Sequence, residues 1–160
     1  MKHTFILFFA LFWSEPITAS TFEATTDAAK SFEVLSRDKT ALFVVTCDQD
    51  KNLFARLFAR EVAPNLIKRR AATVANDNSV SRDFNFTSSV LSDGHTVILF
   101  DPEHVRQVKK APISLLRLIS NSDEFVLQIG GKGGMIERFS NQNATNSLNT
   151  VANACGLDLM

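Results

Sequence analysis

Apolar residues in this chain gather in short runs separated by polar clusters, and most of the runs are of strand length. Ala41 to Cys47 is a β-branched, nearly continuous apolar run, which predicts a buried strand. Asp48 to Asn52 is a polar turn, and Leu53 to Arg60, broken only by Arg56, predicts a second strand folded back as a hairpin. Phe32 to Leu35 predicts a short first strand. Val80, Arg82, Phe84 and Phe86 alternate with Ser81, Asp83 and Asn85, the pattern of a strand with one buried face. After the turn Ser92-Asp93-Gly94 comes a buried strand, Thr96 to Phe100. Ile67 to Val74 also alternates as a strand, with Lys68, Arg70 and Ala72 on one face and Ile67, Arg69 and Ala71 on the other, which leaves its buried face ambiguous. Glu124 to Ile129 and Met135 to Phe139 flank Gly130-Gly131-Lys132-Gly133-Gly134, which holds four of the six glycines of the chain and therefore predicts a hairpin tip.

Helix signals are fewer. Asp101-Pro102-Glu103 supplies an N-cap, a proline at the first helical position and an acid in the first turn. The predicted helix places Val105 and Val108 on one face and Lys109 and Lys110 at its end, where Pro112 stops it. Ile113 to Ile119 reads as helix or strand, with helix favoured by the spacing of Leu115, Leu116 and Ile119. Asn143 to Ala154 predicts a C-terminal helix with Leu148, Val151, Ala152 and Cys155 on one stripe and Gly156 as its cap. Together these elements predict an α+β domain over residues 32–160: a mainly antiparallel β-sheet or sandwich carrying a mid-chain helix and a C-terminal helix.

Ahead of that domain the pattern changes. Lys2 and His3 precede the apolar run Phe5 to Trp13, and Thr18-Ala19-Ser20 follows. That order of basic, apolar and small residues predicts a signal peptide over 1–19, cleaved after Ala19 or Ser20. The run is too short for a bilayer span, which needs roughly 20 residues, so no stable membrane insertion is expected after cleavage. Residues 20–31 are polar and rich in Thr and Ala, and read as a flexible leader. The expected location is periplasmic or secreted.

Composition narrows the classes. Seventeen basic residues balance seventeen acidic ones, so the electrostatic footprint of a nucleic-acid binder is missing and no nucleic-acid partner is expected. The two cysteines, Cys47 and Cys155, both lie in the exported part, where an even pair predicts a disulfide. Tyr is absent and Trp13 is the single tryptophan, so every aromatic of the predicted domain is Phe. Such a set suits a dry core better than a recognition platform, which favours rings with a polar handle.

Chemistry-bearing patterns are sparse. Asp93, His95, Asp101 and His104 resemble a metal-ligand list, but their spacing fits no zinc or non-haem iron pattern. The glycine cluster lacks the Lys-Ser/Thr and following helix of a phosphate loop. No serine stands in a nucleophile elbow, and Asp48 and Asp50 pair only within a turn. Asn85-Phe86-Thr87 and Asn143-Ala144-Thr145 fit the glycosylation triplet. Neither catalytic residues, nor a metal site, nor a cofactor is predicted.

Several features taken together are similar to a known family. A strand ends in Cys47 and is followed by Asp48-Gln49-Asp50-Lys51; Asp93 to Phe100 leads into Asp101-Pro102; Met135 to Phe139 precedes a terminal helix and Ala154-Cys155-Gly156. This resembles the exported accessory proteins of bacterial type VI secretion, the VasI/TagO-like family, over about residues 32–157. Phe84 and Phe86 stand where that pattern carries a tryptophan. The resemblance implies an exported, disulfide-stapled accessory protein without catalysis, whose partner is an envelope or secretion-apparatus protein. A secreted inhibitor or host-facing factor acting on an extracellular enzyme is the alternative. Two places are candidates for partner binding: the basic ridge Lys68, Arg69 and Arg70, expected on a strand, and Lys132 at the glycine tip. The two arginines rank first, because a strand fixes their geometry for bidentate pairing.

Overall fold

A computed structural model describes residues 30–60, 62–105, 107–142 and 145–159. The expected signal peptide over 1–19 lies outside them, as does the leader up to residue 29. The strands, in chain order, are β1 (Lys30–Leu35), β2 (Ala41–Cys47), β3 (Leu53–Ala59), β4 (Ala71–Asn76), β5 (Ser81–Val90), β6 (Thr96–Phe100), β7 (Glu103–Val105), β8 (Val108–Lys110), β9 (Glu124–Ile129) and β10 (Met135–Ser140). The helices are α1 (Pro64–Ile67), α2 (Ile113–Ser120) and α3 (Thr145–Ala154). The expected α+β class, dominated by antiparallel strands, is what the chain adopts.

Eight strands form one antiparallel sheet in the order β1-β2-β3-β6-β5-β4-β9-β10, and β7 pairs with β8 as a separate small hairpin. Alternation dictates the sheet's faces. In β3, Leu53, Ala55, Leu57 and Ala59 point inward while Phe54, Arg56 and Phe58 point out. The long β5 serves two neighbours: Ser81 to Asn85 pair with β4, and Phe86 to Val90 pair with β6. The sheet curls until its edges meet. Ser36 bridges Phe139, and the Arg37 N–H donates to the Arg138 carbonyl at 2.8 Å. An Arg37–Glu124 ion pair spans the same seam. The result is a barrel closed at one point of the seam and open above it.

Its interior is filled by phenylalanine. Phe43 on β2 makes edge contacts with Phe100, Phe125 and Phe139 at centroid distances of 6.1, 5.4 and 6.2 Å, and Phe125 stacks on Phe139 at 4.8 Å. α2 and α3 add Leu115, Leu116, Ile119, Leu148, Val151 and Ala152 to the same core. α3 ends in a Schellman turn, where Gly156 at φ 71° lets the Leu157 N–H reach the Ala152 carbonyl at 2.9 Å. Just beyond the helix, the Cys47–Cys155 disulfide ties this end to β2, as the pairing of cysteines predicts. Lys51 Nζ donates to the Ala154 carbonyl at 2.9 Å, and the nearly buried Lys110 ammonium donates to the Cys155 and Lys51 carbonyls. Desolvation is the largest influence on Lys110 and pushes its pKa down.

Two expected elements are replaced. Asp101 to Lys110 is not a helix: it forms the β7–β8 hairpin, turned at Gln107 with φ 71°. Only nine residues separate Pro102 from Pro112. The hairpin gains outside anchors that a helix there would forgo, the Lys109 N–H on Asn52 Oδ1 at 3.0 Å and the Ala111 N–H on the Leu53 carbonyl at 2.6 Å. The mid-chain helix is α2 instead, starting after Pro112. Lys68, Arg69 and Arg70 are likewise not in a strand. They form the turn between α1 and β4, because Pro64 opens a single helical turn and Arg70 then reverses the chain at φ 50°.

Candidate functional site

The connections β1–β2, β3–α1, β5–β6 and β9–β10, and the turn into β4, gather at one end of the barrel. A cleft of about 670 Å³ opens there, lined by the ends of β2, β3 and β10 and the tip of the β5–β6 turn. Glu137 is the most buried of its charged groups. Alternation in β10 puts Glu137 on the inward face with Phe139, and it is 7% exposed. Both carboxylate oxygens stand 2.9 Å from the Thr40 hydroxyl. Thr40 is held by the buried Ser36, whose Oγ accepts the backbone N–H groups of Thr40 and Ala41 at 3.2 and 3.1 Å.

Across the cleft, the Asp93-Gly94-His95 turn supplies a second polar pair. His95 Nδ1 stands 3.0 Å from Asp93 Oδ2, and the His95 backbone N–H donates to Asp93 Oδ1 at 3.0 Å. That backbone bond is the largest of several influences that hold the Asp93 carboxyl below the usual carboxylate range. Arg60, exposed at the end of β3, completes the wall. Asp101 and His104 lie at the other end of β6 and beyond, so the metal-like list drawn from sequence splits between the two ends of the barrel. Among the described residues no His, Cys, Asp and Glu form a group of three able to hold a metal ion.

The two partner-binding candidates, distant in sequence, meet at this same end. Because β4 pairs with β9, Ala72 lies beside Ile129 and the turn before β4 rests on the glycine tip after β9. A Cβ on Gly130 would stand 2.5 Å from Leu66 Cδ2, and one on Gly131 would stand 3.0 Å from Arg69 Nη1. The glycines are therefore what lets α1 and Arg69 seat on the hairpin. The tip is also tied down: the Gly134 N–H and Gln128 Nε2 both donate to the Gly131 carbonyl, at 2.9 and 2.6 Å. Lys68, Arg69, Arg70 and Lys132 are all exposed, and among the described residues none of the four pairs with a carboxylate. They form one basic surface next to the cleft.

Sequence reading named those four cations but not the cleft. The inward position of Glu137, an acid on the buried face of an alternating strand, was a readable signal. Arg60 and Thr40 carried none and His95 stood out only beside Asp93 in the metal-like list, since only the sheet's curl brings their loops together. The chain matches no protein-family model, no curated protein and no solved structure.

Proposed function

We propose that this chain is an exported binding protein that acts outside the cytoplasm as an accessory to an envelope assembly, a type VI secretion apparatus being the assembly whose accessory proteins its sequence resembles. On this reading it recognises a protein partner and carries out no reaction. The observation that carries the reading is the union of Lys68, Arg69, Arg70 and Lys132 on one uncompensated surface at the end of a stapled barrel. Uncompensated cations held on a rigid frame give up no existing ion pair when they meet a carboxylate-bearing partner, and they steer its approach. The disulfide supports an oxidising location, since such bridges persist outside the reducing cytosol. Among the described residues no helix is long and apolar enough to cross a membrane.

Pull-down from envelope extract tests the reading. The double variant Arg69→Ala/Arg70→Ala and the single Lys132→Ala should each lose the captured protein, and raising salt should mimic them in the parent chain. Val105→Ala, on the hairpin at the other end, should capture as before. Partners retained by the arginine variant with unchanged salt sensitivity would remove the basic surface from the account. An extracellular enzyme as the captured protein would favour the inhibitor reading over the accessory one.

A further inference from the structure

β10 is paired with β9 along its whole length, yet its other edge meets the chain only near Phe139 and Arg138. In an extended strand the N–H and C=O of one residue point to the same side and those of the next residue to the other. The Arg138 carbonyl faces β1, where it accepts the Arg37 N–H, so the N–H and C=O of Ile136 face that side too. Beyond Arg37 the β1–β2 turn leaves the seam, with Lys39 at φ 57°. Among the described residues no backbone group meets those of Ile136. We infer that this free edge is a strand-addition site, and that its occupant is an extended segment of a partner protein with acidic residues at every second position.

Both faces of such a segment are provided for. Side chains directed outward would lie beside Ile136, which is 51% exposed, and Arg138. Lys39 and Lys132 flank the edge on either side, exposed and without an ion pair to any described residue, which selects for outward acids. Side chains directed inward would enter the cleft lined by Met135 and Glu137. Among the described residues one hydroxyl, that of Thr40, donates to Glu137, whereas a carboxylate accepts about four hydrogen bonds. Inward positions therefore favour donors such as Thr and reject acids. A second copy of this chain is a poor occupant, because two β10 edges laid antiparallel bring the Arg138 and Lys39 sets of both copies together.

The inference deepens the binding reading above by naming how the partner is held: main-chain pairing supplies affinity and alternate side chains supply choice. Its test uses a fluorescein-labelled peptide of about ten residues alternating Thr and Glu, with alternating Thr and Lys as control. Fluorescence anisotropy should report binding of the first and not of the second. Ile136→Pro removes the edge N–H while sparing every bond to β9, and should weaken binding roughly tenfold or more. Ile136→Thr keeps that N–H and should stay within about threefold of the parent. In the parent chain, independently of any variant, the peptide should slow hydrogen exchange of the Ile136 amide. Equal affinity for the two peptides, no binding of either, or an Ile136 amide that exchanges unchanged would each overturn the inference. So would a dimer of the chain abolished by Ile136→Pro. If Ile136→Pro loses the peptide while Arg69→Ala/Arg70→Ala keeps its captured protein, the edge stands and the basic surface falls. If the peptide binds with no effect of Ile136→Pro, the basic surface survives and the edge falls.

Discussion

Closure of the barrel can be read from one aromatic pair. Phe43 sits on β2 and Phe125 on β9, and the sheet order places these strands neighbours to neither side; they face each other only because the edges β1 and β10 meet. Phe43→Leu keeps an apolar side chain and removes three edge contacts, to Phe100, Phe125 and Phe139. Aromatic pairs contribute about 0.5–1.5 kcal/mol each beyond the area they bury. Loss of three, partly offset by the leucine's own packing, gives an expected destabilisation of about 2 kcal/mol. The sharper quantity is the coupling. In a double-mutant cycle of Phe43→Leu and Phe125→Leu, followed by urea unfolding of the oxidised protein, the pair should show about 0.5–1.5 kcal/mol of interaction. Distant residues usually add to within about 0.3–0.5 kcal/mol. Strict additivity would mean that the two rings do not touch and that the sheet is open, which would refute the barrel and the cleft built on it.

Cys47 and Cys155 close a loop with a sequence separation of 108, so Cys47→Ser/Cys155→Ser should cost about 4–5 kcal/mol if chain entropy dominates, measured as a lowered urea midpoint. The unreduced, denatured parent chain should show no titratable thiol. Lys110→Met should cost about 1–3 kcal/mol, because the Cys155 and Lys51 carbonyls lose a donor. Burial lowers the Lys110 pKa in the folded state below 10.5, so between the two values the unfolded chain binds more protons and parent stability rises with pH. The stability gap between parent and Lys110→Met should therefore widen as pH climbs toward 10.5, a trend that parallel unfolding curves would confirm or exclude.

Much of the architecture was legible because period-two alternation is a direct consequence of a sheet with one buried face. β5 announces itself this way, while β2, β3 and β6 show as short apolar runs bounded by turns and β9 and β10 as runs flanking the glycine cluster; their inward residues are the core. Cys155 could be placed against Cys47 from the helical stripe that carries it. The misread segments share a cause. Asp101-Pro102-Glu103 has every local signal of a helix start, but the Asn52 side-chain oxygen and the Leu53 carbonyl hold the segment as a hairpin, and no local signal reports a partner more than fifty residues away. Lys68 to Arg70 alternates like a strand while Pro64 winds the preceding residues into α1, and Arg70 reverses the chain. At the candidate site the four cations were visible as charges, but their union was not. It depends on β4 crossing to β9 and on glycines that admit Leu66 and Arg69, which are consequences of topology. Curling of the whole sheet also builds the cleft, so Thr40, Arg60 and His95 had no common signature.

In the proposed function the partner sits on the barrel end that carries Lys132, Ile136 and the cleft. Site-specific photo-crosslinking in the cell of origin tests it most directly, with a benzophenone side chain placed in turn at Lys132, Ile136 and, at the other end, Val105. Adducts with the same envelope protein are expected from positions 132 and 136 and none from position 105. Adducts from position 105 alone, or different proteins trapped at 132 and 136, would contradict it.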